Sequence, residues 1–325
     1  MDKNAIKKFA TWARRDLIER IRQQAYRYGI ENANADPYAS SAHGVVLTPA
    51  QRSQRQALIE RMQAKGYEAT IEEVAYTWFD RFCALRFMEV NGYLPGKIRM
   101  FSDENGAFRP QILANALNVE LEGLDINTVI QLKEENKTEE LFKYLLLTMC
   151  NVLKPILTLF QPDDRGCHLI DRDYTWLLLP DNLLRKGSVP EQMVLMIPED
   201  DWKDAVQIVG WLYQYYNLEP FNQLYDGEKA TDKINSEELP AATQLFTPDW
   251  IVRYMVENSL GRVWLEGHPN DSLRSGWKYY LEEAEQESEV QAELQTIREQ
   301  YAQIKPEEIR CIENCTTSLI RVAAA

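Results

Sequence analysis

Residues 70–92, TIEEVAYTWFDRFCALRFMEVNG, decide the fold class. Val74, Trp78, Phe82, Leu85 and Met88 recur at spacings of three and four, the period of one face of an α-helix. Thr70 and Glu73 match the S/T-x-x-E capping pattern, in which each side chain satisfies a backbone N–H left free at a helix start. Asn91-Gly92 suits its end. A long helix is therefore predicted here, with Arg81 and Arg86 as polar interruptions of its apolar stripe.

Toward the N-terminus, Ile6, Phe9, Ala13, Leu17, Ile21, Ala25 and Tyr28 form a second such stripe, ending near Gly29. Lys7, Lys8, Arg14, Arg15 and Arg22 fall largely off it and compose a basic face, either a solvated surface or a contact for DNA phosphates. Residues 31–50 are rich in small and turn-forming residues and are predicted as a loop, followed by a helix from Pro49 to Lys65.

Toward the C-terminus the pattern weakens from Pro95 to Leu132, then returns as a helix over Leu141–Leu159 that Pro155 should kink or divide. Trp176–Leu179 fits a strand or a buried helical turn equally well. Val206, Val209, Leu212, Tyr213 and Tyr216 mark another helix, capped from Pro198 and Asp200 and ending at Asn217. Residues 226–240 are polar and predicted as a linker. No repeat appears and alternating strand patterns are sparse, so the expected fold class is mainly α, with few short strands. Four segments are expected: a basic N-terminal segment (1–66), a helical domain (67–240), a capped helix with its approach (241–262) and an acidic helical segment with one strand (263–325).

Composition excludes several function classes. With 325 residues, 45% of them hydrophobic, the chain is long enough to bury a sizeable core. The apolar run Leu141–Phe160 is broken by Lys143, Asn151, Lys154 and Pro155, so no membrane span is expected, and MDKNAIKKFATWARRDL lacks a secretory pattern. A cytoplasmic location follows as the expectation. A net charge of -14 argues against a surface that coats nucleic acid throughout. Base-rich residues 3–27 and acid-rich residues 282–299 make any DNA contact local. Cys83 and Cys150 lie in apolar helical patterns and fit small core residues. Cys311 and Cys315 lack a second pair, and three scattered histidines (His43, His168, His268) leave little for metal or triad chemistry. The aspartates Asp163, Asp164, Asp171 and Asp173 fit turn formers and caps better than metal ligands.

The segment AATQLFTPDWIVRYMVENSLGR, 241–262, has a clear local grammar. Thr247 is placed to cap a helix, Pro248 to fill its first position and Asp249 to complement its dipole. Ile251, Tyr254, Met255 and Asn258 share one face, and Gly261 stands where the helix should end. Such a helix start offers free N–H groups to an anion such as a carboxylate.

QLFTP at 244–248, followed by an apolar helix, resembles motif X of the amino-group DNA methyltransferases with the γ motif order. YTWFDRFCALRFMEVNGYLP at 76–95 resembles the helix preceding that motif in large single-chain adenine methyltransferases. With NAIKKFATWARRDLIERI at 4–21 it narrows the resemblance to the PglX-type methyltransferases of BREX phage-defence systems, over most of residues 1–312. The resemblance implies that Phe246, Thr247 and Pro248 hold the methionine end of S-adenosylmethionine, with Thr247 at its carboxylate. It implies a Rossmann-like core following a multi-helical region, adenine N6 in DNA as methyl acceptor, and other BREX proteins as partners.

The departure falls after Ile309-Arg310-Cys311-Ile312, a strand-like run that in the family leads into a glycine-rich cofactor loop. Here Glu313-Asn314-Cys315-Thr316-Thr317 follows, no glycine occurs after Gly276, and the family's catalytic [DN]-P-P-[YF] occurs nowhere. A cut chain, a frameshift and a short paralogue all fit. Each implies a chain without methyl transfer of its own and with very low affinity for the cofactor. The alternative function is a non-catalytic module that contacts DNA or other defence proteins.

Overall fold

The computed structural model describes residues 1–155, 157–160, 173–203, 205–225, 233–235 and 238–309. These residues are mainly helical and carry one two-stranded sheet. The chain divides into two compact units, Met1–Gln244 and the residues from Leu245 onward.

The first unit contains α1 (Lys3–Arg27), β1 (Ser41–Ala42), β2 (Val45–Val46), α2 (Pro49–Lys65), α3 (Tyr67–Val90), α4 (Gln111–Ala114), α5 (Ile126–Glu134) and α6 (Thr138–Leu153). It continues with α7 (Tyr174–Leu177), α8 (Val189–Met196), α9 (Gln207–Tyr216), α10 (Leu218–Tyr225) and α11 (Leu239–Ala242). Helices α1, α3 and α9 pack together, and the α1 stripe Ile6, Phe9, Ala13, Leu17 and Ile21 is fully buried. Phe9 stacks on Phe79 with ring centroids 6.1 Å apart, and Phe79 lies 4.5 Å from Tyr216. Offset and tilted ring pairs of this kind add about 0.5–1.5 kcal/mol each beyond the area they bury.

The start of α3 differs from the sequence expectation. The helix begins at Tyr67, directly after Gly66, whose φ of 97° lets α2 end and α3 start around a single residue. Thr70 is thus inside the helix and its hydroxyl donates to the Gly66 carbonyl at 2.8 Å. Glu73 is released from capping and gathers Arg61, Lys65 and the Tyr174 hydroxyl. Burial opposes its ionisation, but these three donors prevail and hold its carboxyl below the usual range. The reciprocal cap belongs to α2 instead, where Thr48 Oγ1 accepts from Gln51 N–H at 3.2 Å and Gln51 accepts from Thr48 N–H at 2.9 Å.

Arg81 and Arg86, the polar interruptions of the α3 stripe, are fully buried. Arg86 donates to Glu89, to Ser102 Oγ at 2.9 Å and to Glu199 at 3.2 Å. Glu89 also accepts the Phe101 N–H at 2.8 Å, so the pair staples the 99–102 turn onto α3. Arg81 donates to Thr175 Oγ1 at 2.8 Å, and Trp78 donates to the Thr175 carbonyl at 2.8 Å. A buried guanidinium persists only where such partners replace its water.

Four further expectations are refined. The loop at 31–50 contains the β1–β2 hairpin, which pairs Ser41 with Val46 and turns at His43-Gly44, both at positive φ as a two-residue turn requires. Helix α6 ends at Leu153, two residues before Pro155, and Trp176–Leu179 includes the end of a helical turn, α7, whose N-cap is Asp173. Helix α9 begins at Gln207 without a side-chain cap and ends at Asn217 as predicted; Glu199–Asp201 is a separate 3-10 turn.

The second unit contains α12 (Asp249–Asn258), α13 (Leu260–Gly267), α14 (Asp271–Ser275) and α15 (Ser288–Tyr301). Helices α13 and α15 cross so closely at Gly267 that a Cβ there would stand 2.4 Å from the Tyr301 carbonyl carbon. Among the described residues, no helix is long and apolar enough to cross a membrane.

Candidate cofactor-end site

The segment that resembles motif X leads into α12. Pro248, at φ -57° and ψ 141°, is the N-cap, and the helix starts one residue later than the sequence grammar places it. Proline keeps the same φ in helical and extended backbone, so its ring fits either side of the boundary. Thr247 is consequently one residue too early to cap. It is exposed, and no hydrogen bond among the described residues engages its hydroxyl. The Pro248 carbonyl accepts from Ile251 at 3.0 Å and Val252 at 3.3 Å, leaving the first two N–H groups of α12 facing away from the ladder. Phe246 is half-buried and Leu245 is 69% exposed. Gln244, which ends the first unit, is buried with its side-chain oxygen lacking a hydrogen bond.

Helix α12 wears its amphipathic character inside out. Its buried residue is Glu257, which accepts the Tyr279 N–H at 2.6 Å. Asn258 donates to the Tyr279 carbonyl at 2.7 Å and accepts the Leu281 N–H at 2.8 Å, so two polar side chains hold the 279–281 segment in place. Trp250 (56% exposed), Met255 (61%), Val252, Tyr254 and Val256 stand outward. The helix ends at Asn258, and Gly261 lies inside α13 rather than at the predicted stop. There it meets Trp277, whose ring carbons would lie 2.7 and 2.8 Å from a Cβ. Asp249 pairs with Arg253 one turn on, at 2.7 Å.

The basic face of α1 is largely engaged by neighbouring acids. Arg14 pairs with Glu72 at 2.8 Å, Arg15 with Glu219 and Arg22 with Glu68. Lys7 and Lys8 are exposed and make no ion pair among the described residues. Two other polar features lie within the first unit. Asp80 is buried, hydrogen-bonded to Tyr76, and burial lifts its pKa to about 7. Asp173 accepts the backbone and hydroxyl of Thr175, the capping role expected of it, while Asp163, Asp164 and Asp171 lie outside the described residues.

Cys83 and Cys150 are free and buried, and burial pushes the Cys150 thiol up to about 12, as suits an inert core residue. Cys167, His168, Cys311 and Cys315 lie outside the described residues. Among the described residues no group of three His, Cys, Asp or Glu side chains is arranged to hold a metal ion.

The chain is 37% identical, over an alignment of 328 positions that covers 96% of its length, to an adenine-specific methyltransferase BrxX from Escherichia coli O9:H4 (strain HS). It is 37% identical, over an alignment of 326 positions that covers 88% of its length, to an adenine-specific methyltransferase PglX from Lacticaseibacillus casei (strain Zhang). The chain is a homologue of the BrxX/PglX adenine-specific methyltransferases of BREX systems. It spans about a quarter of these relatives' length, 26% in each case. No family model matches the chain. The similarity extends across nearly the whole chain.

Sequence reasoning missed the packing of Trp277 against Gly261 and the inward turn of Glu257. The glycine itself was the available signal, because a helix-interior glycine marks a close approach as often as a helix end.

Proposed function

We propose that the chain is the N-terminal portion of an S-adenosylmethionine-dependent adenine-N6 DNA methyltransferase, and that Phe246, Thr247 and Pro248 support the methionine end of the cofactor. The observation that supports this most is the state of that segment. Thr247 offers a hydroxyl with no hydrogen bond among the described residues, beside the first two N–H groups of α12. Donors of this type suit a carboxylate, and the neighbouring Asp249 carboxylate suits an ammonium, so the zwitterionic methionine end fits the residues present. S-adenosylmethionine, when bound in the complete enzyme, supplies the activated methyl group.

The chain's own residues do no more than hold that end. No glycine-rich loop and no [DN]-P-P-[YF] occurs in it to approach the nucleoside or grip an adenine amino group, so methyl transfer belongs to the longer form. Its substrate is DNA, its location cytoplasmic and its further partners other BREX proteins. Of the basic α1 face, Lys7 and Lys8 are the residues left to meet phosphates. The apolar outer face of α12 supports this assignment, since a solvated helix would keep Trp250 and Met255 inward.

The test is a protein in which this chain is continued by the catalytic portion of the Escherichia coli relative. Thr247→Val should weaken S-adenosylmethionine binding by about tenfold, the loss of one hydrogen bond to a charged group. Unchanged affinity would exclude Thr247 from the cofactor.

A further inference from the structure

An apolar cleft of about 260 Å³ opens in the second unit, lined by Val256, Leu260, Gly261, Trp264, Trp277, Pro306 and Ile309. No polar atom is exposed in its lining. Its walls are built rather than incidental. Trp277 is held against the bare backbone of Gly261, and the segment that follows it is pinned through Tyr279 and Leu281 by Glu257 and Asn258. At its rim Val256 carries the apolar surface onto the outer face of α12, toward Met255 and Val252.

We infer that this cleft is the socket for an apolar side chain of the catalytic portion that the relatives carry beyond the matched quarter; the inference rests on the function proposed above. Three observations select this occupant. A site for a soluble ligand orients it with a few polar groups, and this lining exposes none. A cavity of about 150 Å³ takes a benzene ring, so the cleft has room for an aromatic side chain with its stem. The cleft is continuous with an exposed apolar helix face, a pattern that marks a protein-covered surface, and about three quarters of the relatives' length lies outside the match.

The test compares the 325-residue chain with the continued protein described above. Val256→Cys places a thiol at the rim, and Cys167, Cys311 and Cys315 are replaced by serine. The rate of thiol labelling at position 256 is read by peptide mass spectrometry. The rate in the continued protein should be at least about tenfold slower, because labelling then waits on local opening. Leu260→Glu in the cleft should restore the fast rate with the helical circular dichroism unchanged. Equal rates in the two proteins, or slow labelling that survives Leu260→Glu, would overturn the inference. A continued protein that binds S-adenosylmethionine yet labels rapidly at 256 keeps the proposed function and removes the socket alone.

Discussion

Glu257 lies 6% exposed and accepts the backbone N–H of Tyr279 at 2.6 Å, while Met255, two residues earlier on the same helix, stands 61% exposed. A helix with its carboxylate inside and its methionine outside is anchored to its own unit by polar bonds and presents its apolar residues elsewhere. Glu257→Ala should therefore release the 279–281 segment at a cost of about 1.5–3 kcal/mol, typical for a hydrogen bond to a charged group. Amide hydrogen exchange checks this: Tyr279 and Leu281 should lose protection while α1 and α3 keep theirs.

Asp80 gives the first unit a pH dependence. Its folded pKa of about 7 stands above the ordinary 3.8, because burial penalises the charged form more than the Tyr76 hydrogen bond favours it. A raised carboxyl pKa means that the folded state binds the proton more tightly than the unfolded one. Stability from this group is full below pH about 4, falls as pH rises toward 7 and is flat above. Thermal midpoints measured from pH 4 to 8 should decline across that window, and Asp80→Asn should flatten the decline. An unaltered slope in the variant would contradict this assignment.

The buried Arg86–Glu89 pair makes a second stability prediction. Removing one partner leaves a buried charge uncompensated, at about 3–5 kcal/mol. Arg86→Ala should thus be among the most damaging single changes in α3, read as a lowered urea midpoint. Arg22→Ala, which breaks a partly exposed pair with Glu68, should cost no more than about 1 kcal/mol.

Glycines in the second unit should differ by what a methyl group would strike. At Gly267 it meets the Tyr301 backbone at 2.4 Å, at Gly261 the Trp277 ring at 2.7 Å, and at Gly276 a carbonyl at 3.4 Å. Gly267→Ala should therefore destabilise most, by about 1–3 kcal/mol or more as an overpacked contact. Gly261→Ala should displace Trp277, visible as a changed near-ultraviolet signal, and Gly276→Ala should be nearly silent.

Much of the helical framework was legible in the sequence because it is written locally. Thr48-Pro49 and Gly66 bound α2, six of the seven stripe residues of α1 are buried as its period requires, with Tyr28 half-buried at its C-cap, and Cys83 and Cys150 sit in the core. What escaped was set by partners distant in the chain. Arg81 and Arg86 interrupt the apolar stripe as polar positions, and their burial depends on hydrogen bonds to Thr175, Ser102 and Glu199, which lie on other elements. Thr70 and Glu73 match a cap that Gly66 pre-empts by starting the helix four residues earlier. At the candidate site, the position of 246–248 at a helix start was legible. The one-residue shift that frees Thr247 from capping was not, because proline fits both sides of a helix boundary.

Isothermal titration of S-adenosylmethionine into the 325-residue chain tests the central claim most directly, that these residues hold one end of a cofactor whose remaining contacts come from a longer protein. No saturable heat is predicted for the chain alone, with binding appearing once the catalytic portion of a relative continues it. A micromolar Kd, about -8 kcal/mol, measured on the chain alone would contradict the account.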